Sequence, residues 1–125
     1  MASGSIIQSL PMVPTEITLS ADDMTFDPKL SLYGTGANKI ISFGTLNIVY
    51  ISIKIDNATS RGALNIDNYI PVGYRPKSAT SAIVSSGLAD GHAQDVTVYT
   101  SGKLSVFPVN LNTVTYASGM IIYTT

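Results

Sequence analysis

Residues 46–56 read Leu46-Asn47-Ile48-Val49-Tyr50-Ile51-Ser52-Ile53-Lys54-Ile55-Asp56 and alternate with a period of two. Val49, Ile51, Ile53 and Ile55 fall on one face, while Ile48, Tyr50, Ser52 and Lys54 fall on the other. Successive side chains of a strand point to opposite faces, and a β-branched face packs well on a pleated surface. The spacing predicts a strand half-buried against a core. The partly apolar opposite face implies that the outer surface near Ile48 and Tyr50 is covered too. No segment longer than ten residues keeps a 3.6-residue apolar period, so very little helix is expected.

Shorter strands are expected around this one. Residues 57–62 form a polar connection, and Ala63 to Ile66 resumes a short strand. Ser78 to Ser86 reads as a strand with small residues around Ile83 and Val84. Val96 to Thr100 and Lys103 to Phe107 are the arms of a hairpin around Ser101-Gly102, and Thr113 to Ala117 with Met120 to Thr124 make two closing strands. Gly34-Thr35-Gly36 has no phosphate-loop context and reads as a turn. Many short strands divided by turns predict an all-β fold, an antiparallel β-sandwich or small β-barrel of jelly-roll-like kind.

Composition narrows the function classes. The chain has 125 residues, enough for one domain with a substantial core. Charged residues make up only 12%, against the ~25% usual in soluble proteins. Solubility must then come from surface buried in an oligomer, from Ser, Thr and Asn at the surface, or from both. The seven Lys and Arg residues are scattered and the net charge is −1, which argues against nucleic acid as a partner. No apolar run exceeds four residues, so no membrane insertion is expected. Met1 to Ser5 has neither the basic start nor the apolar core of a signal peptide. Cysteine is absent, which removes disulfides and thiolate chemistry.

Two motifs stand in order along the second half. Tyr69-Ile70-Pro71-Val72-Gly73-Tyr74-Arg75-Pro76-Lys77 cannot be helical, because both prolines fix φ and push the residues before them into extended geometry. Val96 to Val106 is the Ser101-Gly102 hairpin, followed by a last strand, Ser118-Gly119-Met120-Ile121-Ile122-Tyr123. Over roughly Ser42 to Thr125, this pairing resembles the C-terminal domains of receptor-binding and baseplate proteins from phages of Gram-positive bacteria, where a "P-x-GYRP" turn precedes a "TSG" or "SNG" hairpin. The resemblance implies a homotrimeric β head on the virion, at the tail tip or baseplate. Its partners would be a host cell-wall polysaccharide or other surface glycan and other tail proteins. The same family includes connector domains that bind only another virion protein. Some heads stack sugars on tryptophan, and this chain has none.

Residues 1–28 carry apolar residues interrupted by Pro11 and Pro14 and read as an extended arm or connector, leaving 29–125 as the head domain. Asp90, His92, Gln94 and Asp95 lie in or beside the glycine-bearing loop 87–93 and are the candidate ligand-binding residues. Sugar hydroxyls are recognised by convergent Asp, Asn, Gln and His side chains, and exposed loops present them. One histidine completes neither a triad nor a metal set, so no catalytic residue, metal or cofactor is assigned. Asp22, Asp23 and Asp27 depart from the calcium-loop pattern and read as a solvated acidic turn. Asp56, Asp67, Asp90 and Asp95 sit on separate segments, and the one glutamate is Glu16, so the opposed carboxylates of a glycosidase are missing.

Overall fold

The alternating pattern is realised as a continuous antiparallel sheet. The computed structural model describes residues 13–88 and 92–125. Its strands are β1 (Thr15–Thr18), β2 (Thr25–Phe26), β3 (Leu30–Leu32), β4 (Lys39–Phe43), β5 (Leu46–Asp56), β6 (Leu64–Asp67), β7 (Thr80–Ser85), β8 (Ala93–Val98), β9 (Leu104–Phe107) and β10 (Val114–Thr124). A single 3-10 turn, Ala21–Asp23, is the one helical element among the described residues. The strands run in the order β1-β4-β5-β10-β7-β8-β9-β6-β2, with β3 pairing β5 beyond the end of β4, and the sheet curls into a half-barrel. The fold is all-β and of the sandwich or small-barrel kind.

Strands β1 and β2 are the two ends of this order, yet they are neighbours in sequence. Residues 19–24 alone connect them. Laid flat, nine strands at ~4.8 Å spacing would hold the end strands about 38 Å apart. A link of that length reaches roughly 25 Å when fully extended. The sheet has to curl, and its inner face becomes the core. Ile40, Val49, Ile53 and Ile55 from one half and Ile66, Val96, Val98, Leu104 and Val106 from the other are fully buried there.

Strand β5 follows the expected phase residue by residue. Val49, Ile51, Ile53 and Ile55 are buried, and Tyr50 and the two strand ends are exposed. Its main partner is β10, in register from Leu46↔Thr124 to Asp56↔Val114. The two closing strands expected at 113–117 and 120–124 are therefore one. Ser118 and Gly119 stay extended because they pair with Ser52 and Ile51 in the middle of that ladder. Gly119 is needed for another reason: a Cβ there would stand 2.8 Å from Val84 Cγ1 on β7. Beside it, β7 meets β10 through one ladder pair, Ser118↔Ser85, and through Tyr116 N–H donating to the Ser86 carbonyl at 2.9 Å.

The 1–28 arm also needs correction over its described part. Thr15–Thr18 pairs with β4, Leu19 is buried, and Thr25–Phe26 pairs with β6. This segment belongs to the head because it supplies both end strands. Pro11 and Pro14 precede the pairing and do not interrupt it. Glu16 makes an ion pair with Lys39 across the β1–β4 ladder at 3.5 Å.

Two predictions follow from this packing. Gly119→Ala should lower unfolding free energy by about 1–3 kcal/mol through overpacking, and Val84→Ala should cost less in that background than in the parent, a coupling readable in urea melts. Separately, burial first, then the nearby Tyr123, pushes the Tyr69 hydroxyl well above the ordinary tyrosine value of 10.0, and burial raises Tyr123 as well. Unfolding frees these protons near the ordinary value, so their contribution is complete below it and is lost as pH climbs above it. Stability should fall with a limiting slope of about 1.4 kcal/mol per pH unit from Tyr69, and Tyr69→Phe should flatten the decline in denaturant titrations across that range.

Candidate functional site

A cleft of about 490 Å³ lies at the end of the half-barrel where the β1–β2 link passes the segment after β6. Its polar lining comes from Thr18 at the end of β1, from Ser20 and Asp23 on the link, and from Asn68 and Arg75 across from them. Leu19, Met24, Tyr69, Pro71 and Val72 supply the apolar walls. The volume lies in the range of small-ligand sites, and an apolar wall with a few placed polar groups is their usual chemistry.

One buried asparagine fixes the inner wall. Asn38 is 2% exposed and its amide is fully engaged. Its Oδ1 accepts the Tyr69 hydroxyl at 2.6 Å and the Ser52 N–H at 2.9 Å, and its Nδ2 donates to the Ser52 carbonyl at 2.8 Å. Its own carbonyl accepts the Leu19 N–H at 2.9 Å. The link, β5 and the segment after β6 are thus tied to one residue. A buried polar group is tolerable only when satisfied in this way.

The opposite wall is the proline-bearing turn, and the hairpin at Ser101-Gly102 locks it in place. Ile70 N–H donates to the Gly102 carbonyl at 3.0 Å, and Tyr74 N–H closes the turn onto the Pro71 carbonyl at 3.2 Å. Arg75 reaches back, with Nε donating to the Ile70 carbonyl at 3.0 Å and Nη2 to Asn68 Oδ1 at 3.3 Å. Tyr123 Oη donates to the Tyr74 carbonyl. Gly102 has φ +84°, and a Cβ there would come within 2.4 Å of the Ile70 carbonyl oxygen and 2.6 Å of Arg75 Nε. The two motifs that stand apart in sequence are therefore one packed unit. Arg75 makes the carbonyl contact that a pre-proline arginine in such a turn can offer.

The residues singled out beside loop 87–93 do not converge. Asp90 lies outside the described residues. His92 is exposed, with Nδ1 3.4 Å from Asn110 Oδ1, and its carbonyl accepts the Ser86 N–H. Asp95 is exposed on the outer face of β8, between Ile83 and Phe107 of the adjacent strands. Gln94 has to be corrected as a ligand-binding candidate, because it is fully buried and its amide is spent inside. Its Nε2 donates to the Tyr116 carbonyl at 2.6 Å and to Thr115 Oγ1 at 3.3 Å, and its Oε1 accepts the Val109 N–H at 3.1 Å. Gln94 and Asp95 are consecutive on a strand and so face opposite sides. The loop also lies at the far end of β8 from the cleft, roughly 20 Å away at strand spacing.

Sequence reasoning missed Asn38, Asn68 and Thr18 as site residues. Asn38 read only as the end of a glycine turn, and Thr18 as part of an arm. Arg75 carried one signal, its restricted pre-proline position, which points to a structural ion pair or carbonyl contact before a ligand contact. Asp22 and Asp23 do form a small turn, held by Ser20 Oγ accepting the Asp22 N–H at 3.3 Å, and Asp27 Oδ1 accepts the Lys29 N–H at 3.0 Å. Among the described residues, no group of three His, Asp or Glu side chains is placed to hold a metal ion. No protein-family model matches the chain, and no curated protein matches it.

The placement of Gln94 gives a direct test. Gln94→Ala should destabilise the fold by about 1–3 kcal/mol by leaving its partners unsatisfied, whereas His92→Ala should stay within about 0.5 kcal/mol, both read by chemical denaturation.

Proposed function

We propose that this chain is a non-enzymatic phage adsorption head, a tail-tip or baseplate domain that recognises a host cell-surface saccharide. The observation that carries the reading is the cleft: a mixed polar and apolar concavity with one wall on the proline-bearing turn of the sequence resemblance and the other on residues 17–24. Single sites on such heads bind weakly. Three associated copies, repeated around a tail, would raise avidity through effective concentration.

The outer face of β4, β5 and β10 supports self-association. Ile41, Ile48 and Ile122 form one cross-strand row, and Tyr50 pairs with Met120 in the next. Met120 and Ile122 are 52% and 54% exposed. A chain with 12% charged residues gains solubility by covering such a strip. The same strip favours a second reading, a connector that packs on another virion protein and binds no sugar.

Binding of the purified domain to susceptible host cells and to their isolated wall polysaccharide tests the first reading, with light scattering giving the mass. Saturable wall binding by a trimer is expected, and Ile122→Asp should yield a folded species of lower mass with weaker apparent binding. A folded trimer that ignores cells and walls but co-assembles with a tail protein would replace it with the connector reading.

A further inference from the structure

Arg75 places in the cleft wall a cation that forms no ion pair with a described carboxylate. It is half-buried. Among the described residues the one ion pair is Lys39 with Glu16, so neither Asp23 nor any other described acid pairs with the guanidinium. The groups that hold it, the Ile70 carbonyl and Asn68 Oδ1, are neutral. They occupy Nε and one N–H of Nη2, leaving further N–H donors of the fork fixed in orientation at a cleft. A planar fork held this way is suited to a carboxylate or phosphate, which it can meet with two parallel hydrogen bonds.

The rest of the lining describes what would carry that anion. Asp23 is exposed at the link and can accept only from hydroxyl or amine donors; an anionic group is repelled from its side of the cleft and left to Arg75. Thr18 adds a hydroxyl, while Pro71 and the 80% exposed Val72 offer an apolar surface for the C–H face of a ring. Building on the saccharide-binding reading, we infer that this cleft takes an acidic sugar residue: its carboxylate or phosphate on Arg75, its hydroxyls toward Asp23 and Thr18, its ring against Pro71 and Val72.

Backbone amide NMR titrations of the intact chain test this, with a hexuronic acid, a hexose 6-phosphate, the neutral hexose and inorganic phosphate as probes. Both acidic sugars, or one of them, should move the Thr18, Asn68 and Arg75 signals, at least about fivefold more tightly than the neutral hexose or inorganic phosphate. The stronger of the two identifies carboxylate or phosphate as the natural group. Arg75→Lys should erase the preference. Should that variant lose its fold, Asp23→Asn serves instead: it touches no buried contact, and it should widen the preference for acidic over neutral sugar by about threefold, an effect that added salt reduces. Equal affinity for acidic and neutral sugars, or inorganic phosphate binding as well as the sugar phosphate, would overturn the inference. So would silence from every probe in a protein that still binds host walls, an outcome that leaves the adsorption reading standing. Loss of wall binding itself would remove that reading instead.

Discussion

The link between the first two strands governs this architecture. Residues 19–24 join β1, at one end of the strand order, to β2, at the other. A chain that short cannot cross a flat nine-strand sheet, so the ends approach and the inner faces close over a core. The cleft is a by-product of the same constraint. The link passes over the end of the half-barrel and becomes one wall, with Ser20 and Asp23 on it and Thr18 of β1 beside them.

Satisfied buried polar groups pin the sheet both beside the cleft and at the far end from it. Asn38 satisfies Leu19, Ser52 and Tyr69 at once, and Gln94 ties the start of β8 to β10 and to Val109. In a low-dielectric interior each bond is strong and each omission is costly, so such networks specify one arrangement. Gly102 and Gly119 act similarly through volume. Each stands where a methyl group would collide with a neighbouring segment, Arg75 and Ile70 in one case and Val84 in the other. The cleft is therefore preorganised, which spares a weakly held ligand the cost of ordering its site.

The two faces of β5 tell different stories. Its inner face is a β-branched row that disappears into the core, and its outer face continues the apolar row of β4 and β10 with Ile48 between Ile41 and Ile122. Sparse charge across the chain and an apolar outer row point toward contact with other subunits. The cleft and the row lie on different parts of the domain.

Local alternation settled the all-β class and the phase of β5, because a period of two has one reading and its β-branched face has one place to go. It also settled that the Pro71–Pro76 segment turns, and that Ser101-Gly102 is a hairpin tip. It could not show that the arm closes the sheet, since pairing of β1 with β4 and of β2 with β6 depends on partners distant along the chain. Nor could it keep Ser118-Gly119 extended, which takes the full β5 ladder, or separate Gln94 from Asp95, which takes knowledge of the face each one meets. Residue identity records what a side chain can bond to. Only the packed sheet decides which of those bonds are already taken.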